Sequence, residues 1–556
     1  MDQVSIGDYL IQQIYEKGVR HVFGVPGDYV LKFYNMLTAS KLIVVNTCDE
    51  QGAGFAADAY ARLNGLGVVC VTYGVGGLKV INTTAQAYAE KSPVIVISGS
   101  PGINERTKNP LLHHKVKEFD TQKKVFDEIT VASTVLDKPE DAKNEIDNAI
   151  SLAIRYKRPA YIELPRDIIS KPITNRHNNN YNSYTAESLS ESSQKSDRLA
   201  LREAVNEAVS MINSALMPVI IAGVEIQRFG LKKQLIQFID KSGIPAATTI
   251  LSKSVIDSLH PLYIGVYAGA IGQGSVREYV ETSDCIIMLG AMMTDIDLGI
   301  FTAKIDSKKT INVSTDGISI SYHHYSDILI QDFIQALTHA KVHPRKYKRK
   351  SIPHFRPRIA YPSNSAKKIT IKYVFERLNS FLTPNMLVIT DVGDALFAGT
   401  DLLLTGNNEF LSPAYYASLG FSIPASLGTK LAKPDLRPIV IVGDGAFQMT
   451  GIELSTALRF HINPIVIVLN NCGYLTERLM IDGPFNDIQR WQYSNIPKLI
   501  GGGRGCVVET EEQFDNAIKA ATSYVEEFSI LDVRLDPFDK SPALHRLTRG
   551  LAGRLK

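Results

Sequence analysis

The chain has 556 residues, room for about three domains of roughly 150 to 200 residues each, and its 45% hydrophobic content is ordinary for a soluble globular protein. Its 60 Lys and Arg against 57 Asp and Glu leave a net charge of +3, which gives no global case for binding nucleic acid or an anionic membrane. Five widely spaced cysteines without a C-x-x-C pair exclude a zinc framework or a disulfide scaffold and fit a reduced, cytoplasmic setting.

In chain order, the opening MDQVSIGDYLIQQIYEKG carries acids and no apolar core before a cleavage site, so it is not read as a signal peptide. No run of about 18 apolar residues is present to span a bilayer. A strand-like run at 42–47 leads to Glu50, which opens an Ala/Gly-rich helix. Further apolar runs, predicted as strands, follow at 68–72, 93–98, 161–164, 218–222, 285–289, 387–390, 438–442 and 464–469, with helical patterns between them. Continuous rather than alternating apolar runs imply strands covered on both faces, hence parallel α/β sheets. Two stretches break this rhythm. Residues 174–197 are Asn- and Ser-rich and read as a linker; residues 341–368 are basic and Pro-rich, either a nucleic-acid tail or a solvated connector, with base rates for charge runs favouring the connector. The expected organisation is three α/β domains, each a mainly parallel sheet flanked by helices, at 1–173, 198–340 and 369–556. The middle domain carries IIAGVEIQRFG but no GxGxxG, and is read as structural or regulatory. Residues 544–556 are expected to form a loosely attached basic helix or tail.

The stretch IVGDGAFQMTG poses the chemical question. A buried strand ends at Gly443, and Asp444 stands between two glycines. A glycine turn after a strand ordinarily lets backbone N–H groups approach a phosphate, which a carboxylate would repel. Residues 446–469 then form one strand–helix–strand crossover that ends at Asn470-Asn471. Both segments therefore finish at the same edge of a parallel sheet, where ligands bind. Asp444 and Asn471 converge there as oxygen ligands for a hard cation such as Mg²⁺, which would bridge to the phosphate. The bland alternative is a strand-end turn in which Asp444 caps the following helix.

This GDG…NN pattern resembles the signature of thiamine diphosphate-dependent enzymes. The whole chain is similar to their 2-oxo-acid decarboxylases (pyruvate, indolepyruvate and phenylpyruvate decarboxylases) through Asp28 in FGVPGDYVL, Glu50 in CDEQGAGFAADAYAR, His113-His114 in LLHHKVK and Glu477 in NNCGYLTERL. The stretch from SPVIVISGSPG to FDEITVA looks nearest to the phenylpyruvate/indolepyruvate branch. The resemblance implies the thiamine diphosphate-binding fold and non-oxidative decarboxylation of a 2-oxo acid to an aldehyde and CO₂, through a cofactor ylid and an enamine. It makes thiamine diphosphate and Mg²⁺ the cofactors, with Asp444, Asn471 and Gly473 on the metal. Thr72, Gly393, Asp394, Ala417, Leu419, Gly445 and Ala446 then join Glu50 around the cofactor. Glu50 is implied to donate to the pyrimidine ring, the Ala417 carbonyl to meet its amino group and Leu419 to force its bent shape. From the residues alone, Glu50 among small neighbours is expected to be desolvated and to hold a proton more readily; otherwise it is a helix-start acid. His113, His114, Asp28 and Glu477 form the implied proton-handling set, with clustered carboxylates expected to perturb one another. Thr476 departs from the family, where Ile or Val is common. Active sites between subunits are implied, hence a homodimer or homotetramer, with a small-molecule substrate and no nucleic-acid or membrane partner. Two alternatives remain on the same fold: a carboligase of acetolactate synthase or benzaldehyde lyase type, and a binder without catalysis.

Overall fold

The computed structural model describes residues 4–173, 195–347, 351–355, 358–363 and 365–552. The linker expected at 174–197 falls almost wholly outside them. Among the described residues there are three sheets. The first has six parallel strands in the spatial order Ile43–Asn46, His21–Gly24, Gly67–Val71, Val94–Ser100, Ala160–Pro165, Ala132–Val135. Strands Gly67–Val71, Val94–Ser100 and Ala160–Pro165 are buried at every position, as the continuous apolar runs require, while the edge strands Ile43–Asn46 and Ala132–Val135 are only partly covered. The second sheet has seven strands: five parallel, extended by the antiparallel Gly317–Ile320 and His323–Tyr325.

The third sheet is again six parallel strands, ordered Glu409–Leu411, Met386–Thr390, Arg437–Gly443, Ile465–Asn470, Ser529–Arg534, Arg504–Val508. Numbered within each sheet, the first and third share one order, 2-1-3-4-6-5. In both, the order reverses between the first and third strands, which leaves a crevice at the strands' C-terminal ends.

The Ala/Gly-rich helix, Glu50–Asn64, has a packing explanation. It lies against helix Ser422–Ala432 between the first and third sheets, buried almost all round. A Cβ on Gly428 would lie 2.0 Å from the Ala56 carbonyl oxygen, and one on Gly52 would lie 2.1 Å from Glu453 Oε1. Glu453 in turn accepts the N–H groups of Cys48 (3.1 Å) and Asp49 (3.0 Å), just ahead of Glu50.

Two readings of exposed segments are corrected. The described parts of the basic stretch 341–368 are not simply solvated: Val342, Ile352 and Phe355 are buried in the cores of the second sheet. Nor is the C-terminal helix loosely attached. Pro542–Ala552 is amphipathic, with Ala543, Leu544 and Leu547 buried in the third core. Arg546 pairs with Asp401 at 3.0 Å and donates to the Ile271 carbonyl. Residues 553–556 lie outside the described residues. Among the described residues no helix is long and apolar enough to cross a membrane.

Candidate active site

Strand Arg437–Gly443 is buried from Pro438 to Val442 and hands over at Gly443 to helix Asp444–Thr450. This puts the Asp444 carboxylate at the reversal point of the third sheet, 2% exposed. Its Oδ1 accepts the N–H of Gly445 (2.9 Å) and its Oδ2 that of Gly473 (3.2 Å). Among the described residues no lysine or arginine forms an ion pair with it; Arg478, whose charge reaches it, pairs with Asp487. Burial pushes the Asp444 carboxyl up to about 6 against the pull of those backbone N–H groups. A buried acid without a counter-charge, beside Asn471 and Gly473, is an oxygen-donor set that fits a hard divalent cation.

Every residue of 369–556 singled out in the sequence, from Gly393 to Glu477, lines one cavity of about 260 Å³. Glycine is required at two points of its wall: Gly393 has φ +92°, and a Cβ on Gly445 would lie 2.6 Å from the Tyr474 ring. A Cβ on Gly443 would project into open space. Ala417 has φ +59°, an uncommon conformation for a residue with a side chain. Such strain persists where the surroundings impose it, and it clusters at ligand sites. Together these features fit an anionic group held through a cation, with the apolar Leu419 on the cavity wall.

Two details add to the sequence expectation. Asp394 lines the cavity, but its carboxylate is taken by Ser541, accepting from both the N–H (2.7 Å) and the hydroxyl. Burial pushes its carboxyl up to about 6. The Thr476 hydroxyl donates to Glu477 Oε2 at 2.5 Å.

The remaining candidates sit on turns and a helix start of the first sheet's domain. Asp28 Oδ2 and His113 Nε2 are 2.8 Å apart, and Tyr29 stacks on the His113 ring at 4.7 Å. The His114 ring lies 4.7 Å from that of His113, with its backbone at φ +67° and its carbonyl packed against Gly74, where a Cβ would come within 2.3 Å. Thr72 ends strand Gly67–Val71 and is buried, with no hydrogen-bond partner for its Oγ1 among the described residues. Glu50 opens its helix beside Gly76, but it is ion-paired: Lys79 Nζ stands 2.7 Å from Oε2. The sequence reading saw small neighbours and missed this cation, which the Gly74 turn brings round on helix Val75–Lys79. Asp28 and Glu477, expected to cluster, belong to different domains of the chain. Asp28 faces His113 and Arg166 on the first sheet, while Glu477 belongs to the third-sheet cavity, which no residue of the first sheet lines.

Sequence reasoning also missed Asp391, Ser541 and Arg478. Asp391 had a signal, an acid at the end of the run LVITDVG. Ser541 had none, because its partner Asp394 is 147 positions away.

The chain matches three family profiles: thiamine pyrophosphate enzyme, N-terminal TPP binding domain, over residues 4–124; central domain, over 205–340; and C-terminal TPP binding domain, over 391–533. It is 32% identical over 558 residues to the indole-3-pyruvate decarboxylase of Azospirillum brasilense, covering 98% of each chain. It is 32% identical over 560 residues to an alpha-keto-acid decarboxylase of Mycolicibacterium paratuberculosis, covering 98% of this chain and 96% of the relative. It is also 32% identical over 531 residues to pyruvate decarboxylase 1 of Pisum sativum, covering 93% and 88%. With its three mainly parallel sheets and a cation-seeking acid at a sheet reversal point, the chain belongs to the thiamine diphosphate-dependent 2-oxo-acid decarboxylases.

Proposed function

We propose that this carboxy-lyase acts on a 2-oxo acid of the phenylpyruvate/indolepyruvate or pyruvate type, at sites built from two copies of the chain. The observation that carries the reading is the third-sheet cavity, where unpaired Asp444, Asn471 and Glu477 meet without any residue of the first sheet. The Asp28–His113 pair stands apart on the other sheet and would complete the site from a second copy, in a homodimer or homotetramer. When bound, thiamine diphosphate supplies the electron sink that no side chain offers for the carbon losing CO₂.

The chain's own groups do the rest. Asp444, Asn471 and Gly473 would hold Mg²⁺, and the wall at Gly393, Gly445 and Ala446 would admit the diphosphate. The strained Ala417 turn fixes a carbonyl, and Leu419 an apolar surface, against the organic part of the cofactor. Glu50 hydrogen-bonds to its pyrimidine ring, with Thr72 beside it. His113, held by Asp28 and stacked on Tyr29, moves protons with His114. Glu477, held by the Thr476 hydroxyl, receives the substrate carboxylate and returns a proton to the product. The proton-handling set favours release of an aldehyde over ligation to a second carbonyl compound. Five free cysteines support a reducing, cytoplasmic setting.

The test is the initial rate of CO₂ release, with thiamine diphosphate and Mg²⁺, from pyruvate, 4-methyl-2-oxopentanoate, phenylpyruvate, indolepyruvate and benzoylformate. Aldehyde formation from the aryl acids or pyruvate is expected. A ligation product as the main product would transfer the chain to the carboligases, and turnover of none, with cofactor bound, would leave a binder.

A further inference from the structure

Asp391 ends strand Met386–Thr390, is fully buried and makes no salt bridge among the described residues. Its carboxylate is spent on backbone N–H groups: Oδ1 accepts from Val392 (3.0 Å) and Gly420 (3.1 Å), and Oδ2 from Ser422 (2.9 Å). These donors belong to two walls of the cofactor cavity. Val392 and Gly393 form one; the turn that carries Ala417 and Leu419 forms the other and ends at Gly420. Gly420 is also held from its other side, its carbonyl accepting the Thr450 hydroxyl at 2.6 Å. Its φ of +87° suits glycine, and a Cβ there would lie 3.1 Å from Thr450 Cγ2. The turn's outer end is tied to the first sheet's domain: Asn82 donates to Ser418 Oγ (2.8 Å), and Glu90 accepts the N–H groups of Tyr415 (2.9 Å) and Tyr416 (3.0 Å). The inner end rests on Asp391 and Thr450. Burial pushes the Asp391 carboxyl up, and the backbone and side chain of Ser422, with the N–H groups of Gly420 and Val392, oppose it.

We infer that Asp391 is a positioning residue for the cofactor: by clamping the 417–420 turn to the 392–393 edge it sets the spacing of the two walls and the direction of the strained Ala417 carbonyl. The inference rests on the reading of Ala417 and Leu419 as cofactor contacts. A side chain of the same shape with an NH₂ in place of one oxygen turns a donor toward a donor, and one wall is released.

The test is a thiamine diphosphate titration of the cofactor-stripped full chain with Mg²⁺, read by quenching of intrinsic fluorescence, for wild type and Asp391→Asn. Loss of a hydrogen bond to a charged group is expected to raise the cofactor Kd at least about ten-fold. At saturating cofactor, kcat should fall while KM for the 2-oxo acid stays within about two-fold, because the substrate contacts are intact. A folded Asp391→Asn protein with wild-type cofactor Kd and kcat overturns the inference. Should that variant not fold, Thr450→Val decides: a raised Kd supports the clamp, and an unchanged one overturns it. A wild-type chain that does not bind the cofactor in this titration would instead remove the underlying reading, and the clamp with it.

Discussion

Asp444 and Asp297 are both buried acids, and their surroundings separate a ligand site from a structural one. Asp444 opens onto a cavity with spare oxygen lone pairs, whereas Asp297, in the middle domain, accepts the Ile250 N–H (3.1 Å) and the Thr294 hydroxyl (3.4 Å) and lines no cavity described above. Burial pushes the Asp297 carboxyl up to about 7. An unfolded Asp titrates near 4, so the native state holds this proton more tightly. The stability it contributes is therefore present below about pH 4 and is lost as pH rises through about 7, on the order of a few kcal/mol. Asp297→Asn keeps the shape and cannot ionise. Its melting temperature is expected to fall less than that of wild type between pH 4 and 7, as followed by thermal denaturation; parallel curves would contradict the assignment. At this scale the sequence was informative where flanking residues carry the meaning. Asp444 was legible from its two glycines and the spacing to Asn471. Lys79 opposite Glu50, and the clamp of Asp391 on Gly420, were not, because each depends on how a turn brings distant backbone together.

Among the elements, the continuous apolar runs marked eight central strands to within a few residues, but missed the inner strands His21–Gly24, Ala246–Thr248, Thr310–Ser314, Gly317–Ile320 and Ser529–Arg534. The edge strands were less visible. Arg504–Val508 and Ala132–Val135 are short and half-exposed, so they have neither a continuous run nor a clean alternation. The Glu50 helix shows a pattern with two causes. Its alanines and glycines were read as the surroundings of a carboxyl, yet they serve close packing: Ala56 meets Gly428 of helix Ser422–Ala432, while Gly52 and Gly54 lie against Glu453 and Thr83. Gly428→Ala should therefore cost about 1 to 3 kcal/mol as the two helices are pushed apart, since its Cβ meets backbone rather than a movable side chain. Chemical denaturation measures this, and an unchanged midpoint would show that the interface is looser than its geometry. The C-terminal helix was misjudged for a related reason: its basic residues read as a tail, while Leu544 and Leu547, three apart on one face, anchor it.

Across the whole molecule, two sheets of identical strand order present different chemistry at equivalent edges. The third carries oxygen ligands, a strained turn and Glu477; the first carries Asp28, Thr72, His113, His114 and the start of the Glu50 helix. Within one chain the first edge contributes no residue to the third-sheet cavity. This division was legible only through the family resemblance, because no periodicity or spacing shows which surfaces of two copies meet. The most direct test combines two inactive variants, Glu50→Gln and Asp444→Asn, each purified alone and then co-refolded or co-expressed, with CO₂ release from a 2-oxo acid as the readout. If sites form between copies, each mixed dimer contains one site with both native residues, and random mixing should restore about a quarter of wild-type activity. Mixtures that stay as inactive as either variant alone would contradict a site shared between two chains.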